Sequence, residues 1–562
     1  MTQAQTQLDN KRNNVADMYP LSPMQEGILF HSIADPKSGQ YVPQTAMRIS
    51  GAVDREKLKG VWQRTIERHA VLRSGFYWEE KDTPFQIVFK YVPLSWCELD
   101  WSGEDTSRHP GLLSELFETN RNEPFNLRRP PLVRIQWIRV GADEHILVLC
   151  YHHIILDGWS VQQLLDEVLA SYCNETGHIA SAPPTVRSYG DYIGWLKKQD
   201  NANSIEFWKE YLSKTSGPTR FLRNDSASNF SRLSWNCPDD LFTAIKAFSH
   251  SSGCTLNSIM QSALALLIGR QTDRTDLIFG TTASGRPGNL SGSTNMIGLF
   301  INTLPVRITI VPDLPLSAWI ADLQKRQAAT LDHEYIPLRE IQGSGASLFD
   351  TLMVVENFNT NSINHENLPF KTTPITFDER THFPLTIWLT PQTESMSVLV
   401  GYNPDNLAPQ DVEAMINAFT EILSNIVSNA EETVEAHLAR IEQMPAGTGF
   451  ATWQHQPVKD PTERSLANEL NQGAISPTES ILIGIWSTLL KKGSIGKYAN
   501  FFDLGGHSLL AARVTSRLRN EFAVELPVRT LFERPVLCDL AAHIDELRTG
   551  SEKETDQIEI RI

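Results

Sequence analysis

The run His145–Cys150 (HILVLC), followed at once by Tyr151–Ser160 (YHHIILDGWS), constrains this chain more than any other stretch. Its nearly all apolar, β-prone residues predict a buried strand. Asp157-Gly158 then marks a tight turn. Behind it, VQQLLDEVLASY repeats apolar residues at helical spacing through Val161, Leu164, Leu165 and Val168. Ser160 with Gln163 makes a capping-box pattern for that helix. The strand period of two sets His152 and His153 on opposite faces, which argues against a three-ligand metal site with Asp157. One histidine then projects from the strand end into a cleft. Backbone N–H groups at the turn and the helix start can hydrogen-bond an oxygen that gains negative charge. A neutral imidazole there accepts or steers a proton from an attacking amine near neutral pH, which suits acyl transfer. A buried carboxylate beside it is more often a structural anchor, and it needs a cationic partner. The same residues also fit an ordinary histidine pair in a core strand, so local chemistry alone leaves both readings open.

Composition narrows the field. A chain of 562 residues predicts about three to five domains. With 41% apolar and 21% charged residues, collagen-like and largely disordered readings are out. A net charge of −16 repels phosphate backbones and argues against nucleic acid as a main partner. The cysteines (Cys97, Cys150, Cys173, Cys237, Cys254, Cys538) are scattered without a CxxC pair, which suits a reducing compartment and offers no zinc cluster. Apolar stretches such as Ala263–Ile268 fall far short of the ~20 residues that span a bilayer. The start, MTQAQTQLDNKRNN, is polar with no apolar signal core. The expectation is a cytoplasmic protein without membrane partners or bound metal.

Organisation follows from the pattern. Residues 1–16 read as a flexible lead. Strand-like and helix-like runs then alternate, and Asn174–Arg187, with Pro183-Pro184, reads as a surface crossing between an α/β lobe at 17–176 and a second at 177–440. Residues 441–474 lack periodic apolar positions and read as a linker. Ile481, Ile485 and Leu489 open a small helical domain at 475–548. In the tail, 549–562, Ile558, Ile560 and Ile562 alternate with Glu559 and Arg561 as in a strand, which suggests a docking segment that adds to a partner's sheet.

A second constellation lies at Phe501–Leu510, FFDLGGHSLL. Gly505-Gly506 permits a tight turn with positive φ. Ser508 opens an amphipathic helix with Leu509, Leu510, Val514 and Leu518 as its stripe. The partial positive charge of a helix N-terminus favours an attached phosphate there, although a plain N-cap serine has the same look.

His152-His153-Ile-Ile-Leu-Asp157-Gly158 matches the HHxxxDG signature of condensation domains of nonribosomal peptide synthetases. Other stretches fall in that family's order. They are Ser22-Pro-Met-Gln25-Glu-Gly27-Ile-Leu-Phe30, Arg68-His69-Ala-Val-Leu-Arg73-Ser-Gly75-Phe76, Tyr189-Gly-Asp-Tyr192 and Phe207-Trp208-Lys-Glu-Tyr211-Leu212. Gly285-Arg286-Pro287, Ile297-Gly298-Leu-Phe-Ile-Asn302-Thr303 and Phe349-Asp350-Thr-Leu-Met-Val-Val-Glu356-Asn357 follow. The resemblance covers roughly residues 17–440. It implies an α/β fold of two chloramphenicol-acetyltransferase-like lobes in a V-shaped pseudodimer. It gives His153 the role of positioning, or deprotonating, the acceptor amine, with His152 beside it in the signature. Asp157 becomes a structural ion-pair member, Arg286 its expected partner, and Gly158 a backbone donor near the developing oxyanion. Cyclising relatives replace the signature with two aspartates and inactive ones commonly lose the first histidine, whereas epimerising ones share it but carry a later glutamate-histidine-glycine motif not found here. The opening motif and HHIILDGWS look most like members that accept an L-configured donor.

DLGGHSLLA resembles the attachment motif of peptidyl carrier proteins. This implies a small all-α four-helix carrier in which Ser508 bears 4'-phosphopantetheine, added by a phosphopantetheinyl transferase. The usual module has an adenylation domain between the two units, yet only roughly 35 residues separate them here. The expectation is therefore a carrier loaded in trans by a separate adenylation enzyme, an upstream donor carrier, and a downstream synthetase subunit met through the tail. Amide formation is the first reading. Ester formation and a non-catalytic scaffold that recruits partners to the carrier are the alternatives.

Overall fold

The apolar run at 145–150 becomes the middle strand, Glu144–Tyr151, of a five-stranded sheet. The sheet runs in the order Lys371–Asp378, Gln44–Ser50, Glu144–Tyr151, Val133–Arg139, Trp96–Asp100. Its middle strand is antiparallel to both neighbours, with Cys150 opposite Gln44 and Arg134. Alternation sends Ile146 and Val148, with Ala46 and Ile138, against Leu113 and Phe117 of helix His109–Asn122. This is a computed structural model, and it describes residues 14–79, 83–177, 186–222, 229–343, 347–356, 369–442, 475–490, 492–493, 495–501, 504, 508–522, 524, 526, 530–531 and 534–559.

A second, six-stranded sheet is ordered Asn302–Thr309, Asp276–Ala283, Thr351–Val355, Leu385–Pro391, Met396–Tyr402, Ser231–Cys237. Its core is built round helix Leu256–Thr272, whose residues Ile259, Met260 and Ala263–Ile268 are all buried. Phe279, Ile308 and Leu389 of the sheet join that core, as do Ile416, Phe419 and Leu423 of helix Pro409–Ser428. The longest apolar stretch is thus helix interior, and among the described residues no helix is long and apolar enough to cross a membrane. A third sheet pairs Val15–Pro20 and Ser74–Tyr77 with Phe85–Phe89.

The α/β class is the expected one, but three boundaries shift. The division at residues 176 and 177 is crossed by a strand. Lys371–Asp378, from the segment assigned to the second lobe, pairs antiparallel with Gln44–Ser50 and completes the first lobe's sheet, because an unpaired edge at Gln44–Ser50 would leave its backbone groups without partners. Both sheets belong to one compact unit, residues 1–25, 39–77 and 85–456, while 26–38, 78–84 and 457–562 form the other. The expected lead at 1–16 ends early, since Val15 pairs with Phe89. Residues 1–13, the middle of the Asn174–Arg187 crossing (178–185) and nearly all of the linker lie outside the described residues.

In the C-terminal region, helices Pro477–Leu490, Ser508–Phe522 and Leu537–Glu559 surround a core of Leu482, Trp486, Phe501, Val514, Leu518, Leu540 and Ile544. In the segment available for the fourth expected helix, between Phe522 and Leu537, Thr530 and Leu531 are helical and half of the residues lie outside the described ones. The last helix corrects the reading of the tail. It continues through Glu559, so the alternation that begins at Ile558 starts inside a helix, and residues 560–562 lie outside the described residues. The good helix formers of SEKETD override the short isoleucine alternation. Trp486 is fully buried with its ring 5.0 Å from that of Phe501. Trp486→Ala is expected to destabilise this core by about 3–5 kcal/mol, read as a lower denaturation midpoint.

Candidate active site

The site is built on the turn that ends strand Glu144–Tyr151. Helix Gly158–Glu175 starts earlier than the capping-box pattern suggests. Its N-cap is Asp157, whose Oδ1 accepts from the Ser160 N–H at 2.7 Å. Ser160 is thereby freed for another task. Its Oγ donates to the Gly298 carbonyl at 2.7 Å and accepts from the Gly298 N–H at 3.0 Å, and Gln163 donates to the Thr294 carbonyl. The box fails because a carboxylate three residues upstream is the stronger acceptor for the orphan N–H groups.

Asp157 is wholly buried. Its Oδ2 accepts from the Phe300 N–H at 2.8 Å, and its own N–H donates to the Gly298 carbonyl at 3.1 Å. Arg286 comes within 3.4 Å of Asp157 Oδ1 through Nη2, which also donates to Ser160 Oγ at 2.7 Å. Arg286 Nη1 donates to the carbonyls of Ser293 and Met296, and the guanidinium lies 4.2 Å from the Phe300 ring centroid. It is a buried cation rather than a solvated turn arginine, and burial lowers its pKa. Two glycines make the close approach possible. Gly285 holds φ +61° with a would-be Cβ 1.8 Å from the Phe300 oxygen, and a Cβ on Gly298 would sit 2.2 Å from the Tyr189 ring. Tyr189 in turn donates its hydroxyl to the Leu299 carbonyl at 2.6 Å. Separate motifs of the sequence thus converge on one carboxylate.

The two histidines leave the strand before they diverge. The strand stops at Tyr151, so a strict alternation of faces does not apply. The backbone N–H of His152 donates to Leu132 and that of His153 to Tyr41. His152 meets the Phe125 ring edge-on, and its Nδ1 accepts from the Ile154 N–H at 3.2 Å. Burial, helped by the charge of His153, pushes its pKa down to about 3. The His153 Nδ1 faces the Leu156 carbonyl at 2.7 Å, and a carbonyl only accepts, so Nδ1 carries a hydrogen. The Nδ1 atoms of the adjacent rings thus play opposite parts, an acceptor in His152 and a donor in His153. The expected open cleft is not what surrounds His153. The residue is 5% exposed, enclosed by the rings of Tyr41 and Tyr151. Gln25 of the opening motif supports the turn from below. Its Nε2 donates to the Ile154 carbonyl at 3.0 Å, and its Oε1 accepts from the Ser22 N–H. Gly158 is the first helical residue, a position whose N–H has no intrahelical acceptor.

Glu379 is the residue that the sequence pattern misses. Its Oε1 lies 3.2 Å from His153 Nε2. Half-buried Glu356 lies near both, its pKa pushed up to about 7 by desolvation and by the Glu379 charge. No local motif marks Glu379, which directly follows the edge strand Lys371–Asp378. Ser508 is the first residue of helix Ser508–Phe522, while residues 505–507 lie outside the described residues. A helix N-terminus offers unpaired N–H groups and partial positive charge, which fits an attached phosphopantetheine phosphate.

Arg286→Met is expected to cost about 3–5 kcal/mol in urea unfolding, because it strands a buried carboxylate. Adding Asp157→Asn to it is expected to cost less than the sum of the single changes. The depressed pKa of His152 means that its neutral form stabilises the fold above the unfolded value of 6.5, and this is lost as pH falls toward about 3. His152→Gln is expected to flatten that acid-side fall in the urea midpoint.

Residues 15–440 match the condensation domain family, and residues 480–544 match the phosphopantetheine attachment site family. A linear gramicidin synthase polypeptide of Brevibacillus parabrevis is 31% identical over 442 residues, 76% of this chain and 6% of that protein. Chondramide synthase of Chondromyces crocatus is 30% identical over 548 residues, 86% of this chain and 14% of that protein. The chain thus spans only a small part of these relatives. Among solved structures, the starter condensation domain of rhizomide synthetase superposes with a TM-score of 0.64 at 19% identity, covering 75% of this chain and 97% of that one. The first condensation domain of the calcium-dependent antibiotic synthetase gives 0.64 at 18%, covering 75% and 99%. The buried Asp157 turn with its two histidines therefore sits in a chain that belongs to the condensation-domain family of nonribosomal peptide synthetases and continues into a phosphopantetheine attachment domain.

Proposed function

We propose that this chain is a condensation–carrier module. The amine of an aminoacyl group on its own carrier attacks the carbonyl of a donor acyl or peptidyl thioester from an upstream carrier. The C–N amide bond forms, the C–S bond breaks, and the amine loses a proton as the donor carrier's thiol is released. The observation that carries this reading is His153, whose Nδ1 is tied to the Leu156 carbonyl on a turn locked by Asp157 and Arg286. With Nδ1 committed, Nε2 is the atom left to hold or move a proton of the acceptor amine. The Asp157 carboxylate fixes the start of helix Gly158–Glu175, and the N–H groups at that start favour an oxygen that gains charge. Phosphopantetheine on Ser508 supplies a thiol that presents the aminoacyl group as a thioester.

The two family matches are separated only by residues 441–479, too short a span for an adenylation domain, which supports loading by a separate enzyme. The partners in this reading are the upstream carrier, that adenylation enzyme and a phosphopantetheinyl transferase. Six free thiols fit a reducing, cytoplasmic setting.

His153→Ala is expected to lower transfer from a donor thioester by about 10²–10⁴-fold with the fold intact; equal transfer in wild type and variant would defeat the reading. Intact-mass analysis after incubation with coenzyme A and a transferase is expected to show one phosphopantetheine on the wild type and none on Ser508→Ala. Efficient ATP-dependent self-aminoacylation by the holo-protein alone would contradict loading in trans.

A further inference from the structure

We propose that Glu379 is the positioning residue of His153, holding the imidazole through Nε2 and supplying the negative charge that makes it a stronger base. The inference deepens the reading of His153 given above and rests on it. Its ground is geometry. Glu379 Oε1 is 3.2 Å from Nε2, the nitrogen left by the Nδ1–Leu156 contact, and both side chains are largely buried.

The chain fixes Glu379 from both sides. Strand Lys371–Asp378 is registered on Gln44–Ser50 with Asp378 opposite Gln44. Asp378 is clamped by Arg121 and by Arg232, the latter at 2.6 Å. Arg380 pairs with Glu118 at 3.0 Å, its guanidinium lies 5.2 Å from the Phe230 ring centroid, and its carbonyl accepts from the Tyr41 N–H. Asp378 and Arg380 are thus held by neighbours on either side of Glu379, while Glu379 itself meets His153.

The other groups around His153 are already engaged. Asp157 spends its oxygens on Ser160, Phe300 and Arg286. Glu356 accepts from Thr390 Oγ1 at 3.0 Å. Tyr41 bonds His382 through its hydroxyl, and burial raises its pKa, as it does that of Tyr151. His152 is held neutral by burial. Burial alone would lower the pKa of His153, yet the charge and hydrogen bond of Glu379, with help from the Leu156 carbonyl and Asp157, leave it raised. Since Nδ1 carries a hydrogen, a hydrogen bond from Nε2 to the carboxylate means an imidazolium in the resting pair. Raising the pH through this raised value removes the Nε2 hydrogen and with it the hydrogen bond to Glu379, which leaves the Nε2 lone pair for the acceptor amine, so the acid limb of the rate profile belongs to the pair.

The test is the Cε1–H NMR titration of His153 in the full-length protein, assigned by its loss in His153→Ala. Glu379→Gln keeps shape and removes charge, so the His153 midpoint is expected to fall by about 1–3 pH units. The acid limb of the transfer profile moves to lower pH with it, and transfer slows roughly 10–100-fold as the ring loses its orientation. Glu379→Asp keeps the charge at greater distance, so its midpoint lies between the two, and it carries the test where Glu379→Gln does not fold. An unmoved His153 midpoint in these variants overturns the proposal. The titration reads the pair without reference to turnover, whereas undiminished transfer by His153→Ala strikes at the function itself.

Discussion

One buried carboxylate organises the centre of this structure. Asp157 has no exposed surface, and a lone charge in such a place would cost several kcal/mol. Ser160 offsets that cost from three residues away, and Phe300 and Arg286 do so from a distant part of the chain. The turn carrying His152 and His153 is therefore tied to the second sheet's segment at 285–300, and the positions of the imidazoles depend on packing far from them in sequence. The requirement for glycine at 285 and 298 follows, since either Cβ would collide with the groups that close the knot.

A second constraint acts from the opposite direction. Lys371–Asp378 belongs by sequence to the second half but completes the first half's sheet. Backbone pairing brings the triplet Asp378-Glu379-Arg380 to the histidine turn, and its two outer charges are spent on Arg121, Arg232 and Glu118. Those pairs make the crossing strand hard to shift by a register, because a slip of one residue would draw Asp378 away from the buried Arg121 and from Arg232. The histidine turn is thus held from two sides, by Arg286 through Asp157 and by the crossing strand through Glu379.

The contrast between the adjacent imidazoles shows how little separation is needed for different chemistry. His152 accepts a backbone N–H and meets an aromatic edge, so burial acts on it almost unopposed. His153 meets a carbonyl on one nitrogen and a carboxylate on the other, so burial is outweighed. Their charge preferences diverge because the ring partners differ, and the backbone N–H groups are bonded to different segments, Leu132 and Tyr41, once the strand has ended.

Much of this was legible without coordinates. The strand at 144–151, the helix behind it and the helices at 477–490 and 508–522 follow from local periodicity and turn chemistry, whereas His153, Asp157, Arg286 and Ser508 were singled out by ordered motifs that resemble a family. These are short-range signals, and short-range physics produces them. That Arg286 and the Phe300 N–H close on Asp157, and that Glu379 faces His153, were settled by long-range packing. A residue more than two hundred positions away leaves no periodic trace at the site it serves, and the strand that delivers it pairs through backbone groups that every sequence possesses.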